Sequence, residues 1–451
     1  MPYELAIENV TVVSPHGRQR AHLYVQDGRI AAMAATTAEQ QGAARRVDGT
    51  GLLALPGAVD GHVHFMDPTE PDREDFISGT SAAAVGGVTT VIEHTHSAPV
   101  RDAGELKAKA ERVRGRALID FGLAAHVWPD RIASLEATWR AGATFVKIFT
   151  CTTHGVPGLD NAHVYRTFER LARFDGLALV HCEDESLTAE AEHELRQAGA
   201  GGGHIIPLWR NREAESVAVG AVALLAARTG ARVTIAHASN PEVVNLAAGY
   251  RAQGARLWTE SCPQYFYLRE DEVLKEGAFR KFTPPARARS QADTDAMWEA
   301  LRRGLITHVS SDHAPSTKRH KNRGIWEAPF GLPGVETTLP MLLKGVAEGH
   351  LDLERLVDVV AETPARLYGL YPRKGALAVG SDADIVLVDP EAHRRLADDA
   401  VVSRAGWTPY AQTELHGLPV MTFSRGRLVA QNGKAVGDPA WGEFLPGPGG
   451  Q

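Results

Sequence analysis

With 451 residues, 44% apolar and 23% charged, the chain is too long for one ordinary core unless that core is a large barrel with an accessory domain, and too apolar to be disordered. A formal charge of −7 without a dense basic cluster speaks against nucleic-acid binding, and no apolar run approaches the roughly 18 residues of a membrane span. Residues 1–9 lack both a basic region and a long apolar one, so no signal peptide is expected, and three cysteines make no disulfide framework; the expected home is cytoplasmic, with no membrane partner.

Residues 1–55 read as short strands. Tyr3 to Val13 is rich in apolar and β-branched residues, and His22–Val25 and Ile30–Met33 flank Gln26-Asp27-Gly28-Arg29. Asp-Gly between apolar runs is a hairpin signal, because a type I′ turn requires positive φ. From Leu52 the pattern changes to apolar runs alternating with Ala-rich, charged helical segments. Strands are expected at Leu52–Val59, Val88–Glu93, Leu118–Ala124, Thr144–Phe149, Leu177–His181, Arg232–Ala236, Arg256–Glu260 and Ile306–Ser310. Helices are expected at Phe76–Val85, Ala103–Arg114, Val164–Phe174, Glu213–Arg228 and Ala292–Arg303. Repeated β-α units predict a parallel sheet, and eight of them a (β/α)8 barrel with its site at the C-terminal ends of the strands. After the last strand, the charge run Ser316–Arg323 reads as a solvated loop. The far end mirrors the beginning: Asp384–Val388 is a strand, and turns are expected at Arg425-Gly426 and Asn432-Gly433. The fold expected is therefore α/β, a (β/α)8 TIM barrel over 56–370 with a small β-sandwich domain assembled from both termini, 1–55 and 371–438. The Gly- and Pro-rich tail, 439–451, is expected to be extended or disordered.

Chemistry gathers at the strand ends. The first strand exits at His62 and His64, whose i, i+2 spacing puts both imidazoles on one face of an extended chain. Lys147 lies inside Phe-Val-Lys-Ile-Phe, where an amine must be paired or neutralised. Strand five ends at His181, strand six at His237 and strand eight at Asp312. Any one histidine is most simply a satisfied polar residue, but so many coincidences at one barrel mouth point to metal chemistry. A neutral lysine amine adds carbon dioxide to form a carbamate, an anion able to bridge two cations.

These residues resemble the amidohydrolase superfamily, and within it the cyclic amidohydrolase branch of dihydropyrimidinases (hydantoinases), allantoinases and dihydroorotases. The motifs that carry the resemblance are Pro56-Gly-Ala-Val-Asp-Gly-His-Val-His64, Gly86-Gly-Val-Thr-Thr90, Phe145-Val-Lys-Ile-Phe149, His181-Cys-Glu-Asp184 and His237-Ala-Ser239. Further along stand Glu260-Ser-Cys-Pro-Gln-Tyr265, Ser311-Asp-His-Ala-Pro315 and Gly331-Leu-Pro-Gly-Val-Glu336. The resemblance implies two divalent metal ions, zinc being expected: His62, His64 and Asp312 on one, His181 and His237 on the other, and carboxylated Lys147 bridging both. It implies a hydroxide nucleophile between the ions, with Asp312 as proton shuttle. The substrate would be a cyclic amide, and the protein a homo-oligomer, dimer or tetramer.

Positions that separate the branch disagree with one another. Dihydroorotases carry an arginine where this chain has Met66, which cannot pair with a carboxylate. Hydantoinases place a tyrosine five residues after the bridging lysine; here that position is Thr152, in Thr150-Cys-Thr-Thr-His-Gly155, so that the donor to the reacting carbonyl is Thr152, Thr153 or His154, or is missing. Glu70-Pro-Asp-Arg-Glu74 is allantoinase-like. Glu93-His-Thr-His96 fits none of the three groups, and His94 or His96 is expected to enter the pocket and read a polar ring substituent. Thr283, before Pro284-Pro285, matches a family position whose backbone meets the cyclic amide. Allantoin hydrolysis is the nearest rival to hydantoin or dihydropyrimidine hydrolysis. The complete ligand set disfavours a non-catalytic scaffold, and Lys147 disfavours a single-metal deaminase.

Overall fold

The computed structural model describes residues 2–35 and 42–451; residues 1 and 36–41, within the segment expected at 1–55, lie outside it. At its centre eight parallel strands close into a barrel: β1 (Ala58–Val63), β2 (Val88–Glu93), β3 (Asp120–Leu123), β4 (Val146–Phe149), β5 (Leu177–His181), β6 (Arg232–Ile235), β7 (Leu257–Ser261) and β8 (His308–Val309). β1 to β5 are buried at every position, as strands covered on both faces must be. Beyond β3, Ala125–His126 pairs with β4. The ring closes where Val63 meets His313, through His64 N–H donating to His313 O at 2.7 Å.

The run Leu52–Val59, expected as one strand, is two. Leu53–Pro56 joins the terminal sheet, between Tyr3–Ser14 and Ile385–Arg395, and the chain then crosses to β1 at Gly57. A Cβ on Gly57 would lie 2.1 Å from Thr89 Oγ1, so the crossing needs a residue without a side chain. The barrel strand consequently runs further than expected, with His62 inside it and His64 one residue past its end.

The helix expected from Val164 begins earlier, at Asn161, because the Asp160 carboxylate accepts the N–H of His163 at 2.8 Å and caps it there. Among the described residues the terminal strands form one sheet in the order Lys434–Ala435, Arg427–Gln431, Glu414–Ser424, Ile385–Arg395, Leu53–Pro56, Tyr3–Ser14, Gly17–Gln26, Arg29–Ala34, with Ala43–Asp48 also on Tyr3–Ser14. Its core is Leu5, Ile7, Leu23, Val25, Ile385, Leu387 and Phe423. The Asp27-Gly28 turn has φ of 52° and 71°, as a type I′ hairpin requires.

Lys374 ties the two parts together. Its buried ammonium lies 2.6 Å from Asp120 on β3, 2.9 Å from Asp384 and 3.0 Å from Asp382. The tail is docked rather than free: Gly442 N–H donates to Ala117 O, and Leu445 N–H to Phe121 O, both at 2.7 Å. The charge run after β8 is also less solvated than its composition suggests. Lys321 is buried, its ammonium donating to the carbonyls of Lys281 and Pro329 at 3.0 Å each. No helix among the described residues is long and apolar enough to cross a membrane.

Candidate metal centre

The mouth of the barrel gathers four histidines, a lysine and an aspartate. His62 and His64 leave the same side of the chain at the end of β1, and each has its outward nitrogen tied. His62 Nδ1 meets Glu260 at 2.9 Å, and His64 Nδ1 donates to the His94 carbonyl at 3.1 Å. His181, closing β5, has Nε2 against Glu183 at 2.9 Å. With one nitrogen committed, the tautomer is fixed and the other lone pair turns inward. The inward atoms are close: His181 Nδ1 to His237 Nε2 3.0 Å, and His62 Nε2 to Lys147 Nζ 3.3 Å. Asp312 Oδ1 lies 3.2 Å from His62 Nε2 and 3.5 Å from His64 Nε2.

These spacings decide what the cluster can do. Two nitrogens on a tetrahedral ion at about 2.05 Å sit roughly 3.3 Å apart, and the contacts here bracket that edge. Burial and the neighbouring Lys147 push His62 and His64 well below the ordinary imidazole value, leaving the neutral form that binds metals. Burial likewise draws Lys147, 1% exposed, down to about 8, against opposition from Glu260 and Asp312. It pushes Asp312 up to about 7. His237 and Asp312 both hold positive φ, 37° and 49°, just past their strands. Non-glycine residues adopt that conformation at a cost, and here it aims two donors into the cluster. The donor set fits divalent cations: without one, four imidazoles, an amine and a carboxyl converge with lone pairs facing each other.

A narrow cavity of about 20 Å³ opens at the cluster, walled also by His96, His154, Phe149, Thr283 and Phe330. Residues 153–156 form a tight turn, Thr153 and Val156 exchanging backbone hydrogen bonds at 2.9 and 3.2 Å, with His154 and Gly155 at φ of 55° and 76°. That geometry carries the His154 imidazole over the cavity and turns Thr152 outward. Thr152 is exposed, accepts the Gly158 N–H at 3.2 Å and does not line the cavity, contrary to its expected place at the substrate. Thr283 lines the cavity with its hydroxyl already donated to Glu183 at 2.6 Å. His94 lies behind His62 and His64, buried, while His96 reaches the cavity.

Known proteins match over nearly the whole chain. Residues 53–429 match the model of the amidohydrolase family. The chain belongs to that family. It is 32% identical to an L-hydantoinase of Paenarthrobacter aurescens, covering 98% of each chain, and 32% identical to an allantoinase of Rubrobacter xylanophilus, covering 98% of this chain and 97% of that one. The solved L-hydantoinase (dihydropyrimidinase) of Arthrobacter aurescens superposes with a TM-score of 0.92 at 30% identity, over 98% of this chain and all of that one.

Among the described residues of this amidohydrolase, two trios of side chains able to ligate a metal lie close enough to share an ion, and they differ in kind. His62, His64 and His94 each place one ligand atom within 4.8 Å of the others, and neither nitrogen of His94 has a partner. Cys151, His181 and Glu183 do the same, but Arg210 fills that site, its guanidinium 3.2 Å from Cys151 Sγ and 3.0 Å from Glu183. Glu183 is part of a buried outer layer, also meeting Arg287 at 2.7 Å, while Arg287 in turn pairs with Glu215. Burial alone would raise the Glu183 carboxyl, but Arg210, His181 and Arg287 hold it well below its ordinary value. Sequence reasoning missed Glu260, Arg210 and Arg287 as supports. The available signal was a carboxylate or guanidinium inside an otherwise apolar stretch, which is rarely placed there unpaired.

Proposed function

We propose that this chain opens the ring of a cyclic amide, imide or ureide by hydrolysis, with His62, His64 and Asp312 holding one divalent metal ion and His181 and His237 a second. Carboxylated Lys147 would lie between them. Lys147 carries this reading: its amine is sealed among imidazoles 3.3 Å from His62 Nε2, and burial lowers it to about 8. At neutral pH such an amine is far more often uncharged than an ordinary lysine, and the uncharged form is the one that adds carbon dioxide. In that addition an N–C bond forms and the amine gives up one proton, turning a buried neutral amine into an anion suited to dications.

Bound metals supply Lewis-acid polarisation of the carbonyl and water of lowered pKa. The protein's own groups do the rest. Asp312, beside the His62 and His64 nitrogens, takes the proton of the attacking water and delivers it to the departing ring nitrogen, so the C–O bond forms as the C–N bond breaks. Phe149 and Phe330 shield the reacting carbonyl from bulk water. Met66 is buried, its sulfur accepting from Thr95 Oγ1 at 3.6 Å, so the position offers no cation to a ring carboxylate and dihydroorotate is disfavoured.

The test is a ring-opening assay with metal-loaded protein and bicarbonate, over hydantoin, dihydrouracil, allantoin, dihydroorotate and simple cyclic imides. Turnover of at least one ring is expected, falling about 10²–10⁴-fold in Asp312→Asn and lost in Lys147→Ala. Protein holding two ions that opens no ring would refute the reading.

A further inference from the structure

One wall of the cavity has hydrogen-bonding capacity that the protein does not use. His96, from the loop after β2, and His154, from the turn after β4, stack with ring centroids 3.9 Å apart and planes 26° apart. Among the described residues, none of their four ring nitrogens has a protein hydrogen-bond partner. Unlike both nitrogens of His94 and of His126, which are sealed in the interior, these nitrogens are open to the cavity that both rings line. The pair is held in place from every side. His64 packs on His96 at 4.7 Å, Phe330 stands edge-on to His154 at 5.8 Å, and the 153–156 turn fixes the His154 backbone. On the other flank Thr95 N–H donates to Glu93 at 2.9 Å, which anchors the loop that carries His96.

We propose that the His96–His154 pair sets the substrate specificity of this site, selecting a ring whose substituent is planar, uncharged and carries both N–H and C=O, such as a carboxamide or ureido group. This rests on the hydrolase reading above. Rings stacked this closely cannot both carry charge without strong repulsion, so the wall presents imidazole N–H donors beside bare nitrogen acceptors. An amide-like group satisfies both kinds at once. A carboxylate satisfies only donors, and the arginines near this wall are engaged elsewhere. Arg73 donates to Pro315 O at 3.1 Å and to Glu70 at 2.7 Å, and Arg210 serves Glu183. An alkyl group satisfies neither kind and would strip solvent from polar atoms that then have no partner.

Three hydantoins of matched size and one ring chemistry separate these cases: the 5-carbamoylmethyl, 5-isobutyl and 5-carboxymethyl compounds, assayed on the metal-loaded enzyme. The carbamoylmethyl ring is expected to exceed both others in kcat/KM by about 10- to 100-fold, the range a pocket contact of this kind delivers. In His96→Phe and His154→Phe, which keep the stack and remove the hydrogen bonds, that ratio should collapse toward one. In His96→Gln and His154→Gln, which restore a donor and an acceptor, most of it should return. Wild-type enzyme that opens the three rings equally, or prefers isobutyl, overturns the inference while leaving the hydrolase reading intact. A ratio that survives both phenylalanine variants does the same. Opening of no ring at all, with two ions bound, removes the hydrolase reading and this inference with it.

Discussion

Glu260→Gln isolates the support behind His62, the first histidine of the proposed metal centre. The Glu260 carboxylate is fully buried at the end of β7, with its two oxygens 2.9 and 3.2 Å from His62 Nδ1. It therefore fixes the proton on Nδ1 and leaves the Nε2 lone pair free to bind a metal ion. Burial raises this carboxyl well above its ordinary value in the cluster alone, and nearby dications reverse that field and favour the anion. Glutamine retains an oxygen that can accept from Nδ1, so the ring stays in place, but the charge that raises its basicity is gone. Outer partners of this kind contribute roughly 10- to 100-fold to metal affinity, which at 1.36 kcal/mol per decade is about 1.4–2.7 kcal/mol. The assay is competition for Zn²⁺ or Mn²⁺ between apoprotein and a chelator of known affinity, with melting curves to show that the fold is retained. A dissociation constant within twofold of wild type, in folded protein, would refute the assignment of Glu260 as the residue that orients His62.

Lys374→Met should leave Asp120, Asp382 and Asp384 buried without their shared cation; breaking a buried pair from one side costs about 3–5 kcal/mol, read by urea denaturation, and a loss below about 1 kcal/mol would contradict the buried network. Burial pushes Glu336 up to about 7, although it accepts from Val402 N–H at 2.8 Å and Ser403 N–H at 3.1 Å. A carboxyl raised in the folded state binds more protons than in the unfolded chain, so its stabilising term is full below about pH 4.5 and is lost as pH rises through 7, a swing of about 3 kcal/mol. Glu336→Gln keeps one acceptor for those amides and should flatten that slope, seen by denaturation at pH 5 to 8; parallel wild-type and variant curves would count against it.

What could be read from the sequence, and what could not, divides along physical lines. The barrel was legible because repeated β-α units and strand-end polar residues are periodic signals, and Asp27-Gly28 declares its turn by residue type alone. Strand boundaries were less so. Leu52–Val59 is one apolar run, and nothing local says that Gly57 hands it from one sheet to another; that follows from Thr89 crowding the crossing point, a residue 32 positions away. The inward-facing donors stood out because each is a polar residue at the end of an apolar strand or, for Lys147, inside one. Their supports did not, since Glu260, Arg210 and Arg287 reach their partners from other strands and loops, and such pairings are properties of the assembled barrel.

The loop after β4 shows the same limit at the scale of one residue. Counting from Lys147 selects Thr152, because a count assumes that the backbone path is shared with tyrosine-bearing relatives. The actual path is set by the left-handed His154 and by Gly155, which together tighten 153–156 into a turn and rotate the next side chain but one into the cavity. A position in sequence thus transfers between relatives only as far as the backbone conformation does. At this wall the turn places His154 stacked on His96, and the two imidazoles, not Thr152, line the cavity.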